Sequence, residues 1–305
     1  MNTVGWLAVL GLVGVCGVLL WRAFLIEPYA LKVERRTIGM KRRETDQPGP
    51  SADEPSDRAD GPSSRANGLR ILHITDLHLK GIGELQWQLI REARALRPDV
   101  IAVTGDFLSD GRALTFLAPL LMELGQVAPI YAVLGDNDFE DVNHPERLIG
   151  ELKRSRVRLL RNEADLFIRG DRALLIVGVD DPNTHRADLA KALTEADQLW
   201  RRSRFAAASS AQADAPPVVV LAHSPEIVRD HDARAHLYLT GHTHGGQICL
   251  PGGIALATNT RGVPRYASGL FNIGNSWLYV NRGVGTARIP ARLFCPPEIA
   301  VFDLQ

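Results

Sequence analysis

The hydrophobic positions of this 305-residue chain form one long N-terminal run and a later series of short runs. Six short runs have the length of buried β-strands: "LRILHIT", "DVIAVTG", "PIYAVLG", "RALLIVGV", "PVVVLAH" and "AHLYLTG". Segments with helical spacing, such as "ELQWQLIREARAL" and "LTFLAPLLMEL", lie between several of them. Strands that alternate with helices predict a layered α/β domain, which we place at residues 69–305.

The long apolar run covers residues 4–20, which include no charged side chain. It approaches the roughly 20 residues of a membrane-spanning helix, and Trp6 and Trp21 stand at its ends as interfacial anchors do. A cleaved signal peptide is the alternative, although no Lys or Arg precedes the run and no small-x-small site follows it. We expect a single-pass membrane anchor at residues 1–27.

Basic residues near the apolar run predict its orientation. They lie on its C-terminal side: Arg22, Lys32, Arg35, Arg36, Lys41, Arg42 and Arg43. By the positive-inside rule, the domain then lies in the cytoplasm and the anchor in the inner (cytoplasmic) membrane. Residues 28–68 begin with this basic cluster and become rich in Pro, Ser and Asp. We expect them to form a basic juxtamembrane segment and a disordered linker outside the domain.

The composition of the chain excludes few classes of binding partner. The 35 Lys and Arg residues balance 35 Asp and Glu residues, so no nucleic-acid partner is expected. Cys16, Cys249 and Cys295 show neither a disulfide framework nor zinc spacing. The sequence carries no signal for an oligomeric state, and any site must be sought in local motifs.

Potential metal ligands follow the predicted strands at their C-terminal ends. In chain order they are Asp76, His78, Asp106, Asp136, His223, His242 and His244. Taken singly, each has an ordinary explanation, since Gly-Asp after a strand is commonly a turn. Ligands of open α/β sheets sit beyond the carboxyl ends of strands, so these side chains are expected to converge. Carboxylates mixed with imidazoles suit Mn, Fe, Zn or similar divalent ions.

The motifs "DLH", "GD", "GDND", "AH" and "GHTHGG" resemble, in order, the signature of the calcineurin-like metallophosphoesterases, and the similarity covers residues 69–305. The C-terminal region resembles the membrane-associated bacterial branch of that superfamily. The resemblance implies a four-layer α/β/β/α sandwich of α/β (α+β) class that holds two divalent metal ions, with Mn²⁺ favoured and Fe or Zn as alternatives. It implies that one ion takes Asp76, His78, Asp106 and His244, and the other takes Asp106, Asp136, His223 and His242. Asp106 would bridge the two ions, as a carboxylate can.

The motif "GDND" departs from the family signature Gly-Asn-His-Asp/Glu. Asp136 replaces the Asn ligand, and Asn137 replaces the His that is credited with stabilising the transition state or protonating the leaving oxygen. An amide can donate a hydrogen bond to a phosphoryl oxygen but cannot deliver a proton at neutral pH. Asp138 is expected to stabilise the loop that carries the ligands, without binding a metal ion itself. We expect catalytic roles for Asp106, Asn137 and Asp138.

The missing acid favours substrates with an activated leaving group, such as pyrophosphates. We expect a hydrolase of phosphoester or pyrophosphate bonds at the membrane, with the nucleotide-linked lipid UDP-2,3-diacylglucosamine of lipid A synthesis as candidate substrate. A general phosphodiesterase or phosphatase, and a metal-binding scaffold without turnover, are the alternatives. Arg265, Arg282 and Arg288 are candidates either for holding a phosphate or for salt bridges. His73 is interpreted as a structural histidine.

Overall fold

The computed structural model describes residues 3–40, 68–140, 145–203, 215–260, 263 and 266–305. Its α-helices are α1 (Thr3–Trp21), α2 (Glu84–Leu96), α3 (Leu114–Gly125), α4 (Asp136–Glu140), α5 (Pro145–Arg154) and α6 (Leu189–Arg202). Its strands are β1 (Lys32–Ile38), β2 (Leu69–Ile74), β3 (Val100–Thr104), β4 (Ile130–Val133), β5 (Arg158–Leu159), β6 (Glu163–Arg169), β7 (Arg172–Gly178), β8 (Val218–Leu221), β9 (Leu237–Thr240), β10 (Cys249–Leu250), β11 (Ile254–Ala255), β12 (Gly269–Ile273), β13 (Ser276–Val280) and β14 (Glu298–Leu304). All six predicted strands and both predicted helices are present, as β2, β3, β4, β7, β8, β9, α2 and α3.

Two mixed six-stranded sheets form the centre of the domain. Their strand orders are β1-β14-β2-β3-β4-β5 and β12-β13-β9-β8-β7-β6. Strands β2, β3 and β4 run parallel in the first sheet, and β7, β8 and β9 run parallel in the second. The carboxyl ends of neighbouring parallel strands therefore open on a common edge in each sheet.

Apolar side chains fill the space between the sheets and beneath the helices. Ile71 and Tyr131 of the first sheet share one core cluster with Val219 and Leu239 of the second. Helix α2 buries Leu85, Leu89, Ala93 and Leu96, which fall on one helical face. Together with α3 and α5 it covers the first sheet, and α6 covers the second. These layers confirm the expected α/β/β/α sandwich.

The N-terminal helix runs directly into this domain. Helix α1 continues as a π-helical turn, Arg22–Ile26, and a 3₁₀ turn, Glu27–Tyr29. In the described part of the chain, Gly5–Tyr29 is the one segment long and apolar enough to cross a membrane. By length and composition it is a candidate membrane span.

The segment after this helix corrects the expected start of the domain. Residues 28–68 were expected to lie outside it, but β1 pairs in parallel with β14 at the edge of the first sheet. The sequence "KVERRTI" conceals this strand because an edge strand carries charged residues readily, and only Ile38 is fully buried. The expected linker falls mainly on residues 41–67, which lie outside the described residues.

Candidate metal centre

The seven potential ligands lie together where the carboxyl ends of five strands meet. They follow β2, β3 and β4 in the first sheet and β8 and β9 in the second. Six of them are buried, and Asp136 is partly buried. A concentration of charge this far from water requires partners, because isolated buried charges are strongly unfavourable.

The backbone at this site is unusually strained. Five of the potential ligands have left-handed φ values: Asp76 (50°), His78 (38°), Asp106 (54°), His242 (70°) and His244 (51°). Residues with a Cβ rarely adopt this conformation, and it persists only where the surrounding structure enforces it. Backbone outliers of this kind cluster at functional sites. The sequence patterns did not predict these left-handed conformations.

Glycines before the ligands permit their close approach. A Cβ on Gly241 would collide with the Asp76 carboxylate, and one on Gly135 would collide with Asp106 and the His223 ring. The glycine that precedes each ligand in "GDND" and "GHTH" therefore leaves room for a ligand of another motif.

Asp76, His78 and His244 form the first group of potential ligands, with one atom from each within 4.8 Å of the others. The Nε2 atoms of His78 and His244 are 3.1 Å apart, and His244 Nε2 lies 3.4 Å from Asp76 Oδ1. Among the described residues, this Asp76 oxygen is buried and has no hydrogen-bond partner. A buried carboxylate oxygen without a donor, facing two ring nitrogens, fits a divalent cation.

Asp136, His223 and His242 form the second group. Asp136 Oδ1 lies 3.1 Å from His223 Nε2 and 3.3 Å from His242 Nδ1, and those two ring nitrogens are 3.1 Å apart. Three donor atoms thus point at one position. This donor set also fits a divalent cation.

Asp106 lies between the two groups. Its Oδ2 is 3.3 Å from His78 Nε2, and its Oδ1 is 3.4 Å from His223 Nε2. One oxygen therefore faces each group, as a bridging ligand requires. The structure brings all seven residues together in the two sets that the family resemblance implies.

The carboxylates and imidazoles of the two groups shift one another's pKa values. Burial alone would lower the pKa of His223, but the Asp106 and Asp136 carboxylates raise it well above its usual value. Burial opposes ionisation of Asp106, yet His223 and His78 together hold its pKa below the usual range. Burial and the neighbouring His78 lower the pKa of His244 well below normal, so this imidazole is neutral. The site thus combines neutral and charged side chains in one buried cluster.

Asn137 and Asp138 occupy distinct positions beside Asp106. Asn137 donates from its Nδ2 to Asp106 Oδ2 at 2.5 Å and from its backbone N to Oδ1 at 3.2 Å. The Asp138 carboxylate accepts the backbone N–H groups of Asp106, Phe107 and Gly135 at 2.9, 3.0 and 2.9 Å. Burial and the nearby Asp106 charge raise the pKa of Asp138 to about 7. Asp138 therefore joins two loops, and Asn137 faces the centre.

Sequence reasoning missed two residues of the loop after β7. Asn183 Nδ2 lies 3.3 Å from His242 Nε2, a contact that fixes the ring so that Nδ1 faces the centre. Asp181 is buried, burial raises its pKa to about 6, and its Oδ1 has no hydrogen-bond partner within the described chain. The polar run "DDPN" follows a parallel strand, and the rule that polar residues at the carboxyl ends of such strands line a site would have indicated it.

Arg292 was also missed, and no short motif indicates it. It is fully buried, and its guanidinium donates to the carbonyl oxygens of Arg282, Gly283, Gly285 and Cys295. Its Nη2 lies 3.4 Å from His244 Nδ1. Arg292 thus fixes the loops behind one group of potential ligands.

The remaining candidates have ordinary structural surroundings. Arg282 forms ion pairs with Glu298 at 2.6 Å and Glu34 at 3.2 Å. His73 is buried against Thr104 Oγ1 at 2.8 Å, and burial lowers its pKa to about 3, so it is a neutral structural residue. Arg288 is exposed, and Arg265 lies outside the described residues.

Comparison with known proteins identifies the class to which this fold and site belong. The sequence model of the calcineurin-like phosphoesterases matches residues 69–246, and the chain belongs to this family of metal-dependent phosphoric ester or pyrophosphate hydrolases. Members of the family use two divalent metal ions.

Particular relatives extend this assignment. The Escherichia coli phosphodiesterase YaeI is 32% identical over 248 residues, which cover 77% of this chain and 82% of that protein. The Chlamydia trachomatis UDP-2,3-diacylglucosamine pyrophosphatase LpxG is 25% identical over 296 residues, covering 77% of this chain and 83% of LpxG. The sulfate thiohydrolase SoxB of Thermus thermophilus has the same fold, with a TM-score of 0.50 and 16% identity over 80% of this chain and 57% of SoxB.

Proposed function

We propose that the two groups bind two divalent metal ions, with Mn²⁺ favoured, and that Asp106 bridges them. When bound, such ions supply Lewis-acid activation of a phosphoryl group and of the attacking water. Asp76, His78 and His244 hold one ion, and Asp136, His223 and His242 hold the other. The unpartnered Asp76 oxygen and the facing ring nitrogens support this assignment.

Asn137 is the observation that carries the proposed reaction. It stands beside the bridging carboxylate, where its amide can donate to a phosphoryl oxygen but supplies no proton to a leaving group. A phosphate leaving group needs no such proton, because its oxygen is stable as an anion at neutral pH. The site is therefore suited to a pyrophosphate bond or to another ester with a good leaving group.

The N-terminal helix supports a substrate at the membrane. We propose that Gly5–Tyr29 anchors the protein in the cytoplasmic membrane and that the catalytic domain lies on the cytoplasmic side. The helix has sufficient length and apolarity, and the nearby basic residues follow it in sequence. A nucleotide-linked lipid such as UDP-2,3-diacylglucosamine combines a pyrophosphate with membrane residence. The relatives named LpxG support this substrate class.

The test is release of UMP from UDP-2,3-diacylglucosamine by full-length protein in Mn²⁺-containing detergent micelles. We expect release by the unchanged chain and none by the Asp106→Asn variant, which lacks the bridging carboxylate. Metal content should be measured in both proteins, so that loss of metal is distinguished from loss of folding. A metal-loaded protein that cleaves only phosphate monoesters contradicts the proposed substrate class.

A phosphodiesterase is the second candidate, favoured by the 32% identity to YaeI. Bis-p-nitrophenyl phosphate tests this activity directly. Hydrolysis of this diester without release of UMP from the nucleotide-linked lipid supports the second candidate. Metal binding without turnover of either substrate supports a scaffold, since fold and activity can separate.

A further inference from the structure

The surface beside the end of the N-terminal helix exposes large apolar side chains. Leu250, Ile254, Leu256 and Ile289 are 48%, 62%, 61% and 55% exposed, and we call these four residues the apolar face. Three of them belong to the β10–β11 hairpin and the residues after it, and residues 249–260 contain no charged side chain. A group of exposed large apolar side chains marks an interaction surface.

Hydrogen bonds connect this face to the end of the candidate membrane helix. Arg292 donates its backbone N–H to Ala23 O at 2.9 Å, and the Cys295 N–H donates to Glu27 Oε1 at 2.6 Å. The Arg22 guanidinium lies 4.9 Å from the centre of the Phe294 ring. The helix end is therefore fixed against residues 292–295.

The same loop also holds the apolar face. The Cys249 N–H of the hairpin donates to Leu293 O at 2.9 Å, and Gln247 Nε2 donates to Ile289 O at 2.8 Å. A helix fixed in this way carries the surrounding surface to the membrane. Arg288 is exposed next to Ile289, and its charge complements anionic lipid headgroups.

We propose that the apolar face inserts into the interfacial layer of the lipid bilayer next to the N-terminal helix. This inference rests on the proposed membrane anchor and deepens the proposed function. The hairpin follows the loop of His242 and His244, and both Cys249 and Cys295 contact the backbone oxygen of Gly245. Insertion therefore holds one side of the metal centre close to the headgroups, where a lipid-linked phosphate lies.

The first test uses full-length protein in vesicles of phosphatidylethanolamine and phosphatidylglycerol. A nitroxide spin label is attached to an Ile254→Cys variant in a Cys16→Ser background, since the other two cysteines are buried. The matched control is Ile168→Cys, an exposed isoleucine on the far edge strand of the second sheet. Collisions of each label with oxygen, which concentrates in the bilayer, and with a water-soluble nickel chelate are then measured.

We expect the label at position 254 to collide mainly with oxygen and the label at 168 mainly with the nickel chelate. Equal nickel collision rates at both positions overturn the proposal. This measurement requires no turnover, so it can succeed or fail independently of the proposed enzymatic activity.

The second test compares activities of an Ile254→Ser, Leu256→Ser double variant with those of the unchanged chain. Burial of one large apolar side chain in lipid raises the equilibrium constant for transfer from water to the membrane by about tenfold. We expect hydrolysis of the vesicle-embedded lipid substrate to fall by about tenfold or more, and hydrolysis of bis-p-nitrophenyl phosphate to stay unchanged. Equal rates of lipid hydrolysis in the two proteins contradict the proposal even if the activity itself is confirmed.

Discussion

Replacement of Asn137 by His tests the reasoning about the leaving group. The amide lies at the start of α4, partly exposed, and donates to Asp106 Oδ2 at 2.5 Å. An imidazole placed there carries a proton that titrates near neutral pH. We expect Asn137→His to accelerate the release of poor leaving groups and not of phosphate.

The size of the effect follows from two opposed contributions. A general acid contributes roughly 10²- to 10⁴-fold, or about 2.7 to 5.4 kcal/mol. Loss of the hydrogen bond from Asn137 to the charged Asp106 oxygen removes about 1.5 to 3 kcal/mol of stabilisation from the site. This loss affects every substrate equally, so the ratio between poor and good leaving groups isolates the acid. We expect that ratio of kcat/KM values to rise by about 10²-fold or more.

The assay is a series of phenyl phosphodiesters whose leaving groups differ in pKa. For the unchanged chain, we expect log kcat/KM to fall steeply as the leaving-group pKa rises, and Asn137→His should flatten this slope. The control Asn137→Ala removes the amide without adding an acid and should lower all rates by one common factor. Parallel slopes for Asn137→His and the unchanged chain refute the argument.

Three further predictions concern the centre itself. The Asp138→Ala variant leaves three buried N–H groups without acceptors. We expect its free energy of unfolding to fall by about 3 kcal/mol or more and its melting temperature to fall by about 6 to 12 °C. An unchanged melting temperature contradicts the proposed role of Asp138 in joining the two loops. Neighbouring carboxylates raise the pKa values of His78, His223 and His242. Protons therefore compete with a metal ion for these rings, and metal affinity should fall with decreasing pH. Metal binding should therefore release protons, so its heat measured by calorimetry should differ between buffers of different ionisation enthalpy. Identical heats of binding in all buffers would contradict proton release. Asn183→Ala should weaken metal affinity about 10- to 100-fold by freeing the His242 ring; a titration with unchanged affinity would exclude that role.

The convergence of the ligands was predictable because strand ends carry strong signals. Asp76, Asp106 and Asp136 each follow a run of buried residues, and parallel neighbours bring their carboxyl ends to one edge. The division of the ligands between two groups came from the family resemblance and not from spacing. Spacing alone does not indicate which side chains face each other across two sheets.

The features that escaped prediction depend on contacts between distant parts of the chain. The Arg292 guanidinium contacts His244 directly and is held by backbone carbonyls such as that of Arg282. These partners are distant in sequence, so the residues next to Arg292 give no signal for this role. Strand β1 is concealed by charged residues because it lies at a sheet edge, where burial leaves little periodic pattern. The contact between Asn183 and His242 likewise joins the loops after β7 and β9, which β8 separates in the sheet.

The pairing of β1 with β14 has a practical consequence for producing a soluble form of this protein. A version cut at Leu69, where the motifs begin, would lose all seven paired residues of β1 and bare the backbone of β14. It would also lose the Glu27 carboxylate that accepts the Cys295 N–H. A bare strand edge is a template for aggregation. A soluble version should therefore begin before Glu27 and keep β1, even though the apolar helix is removed.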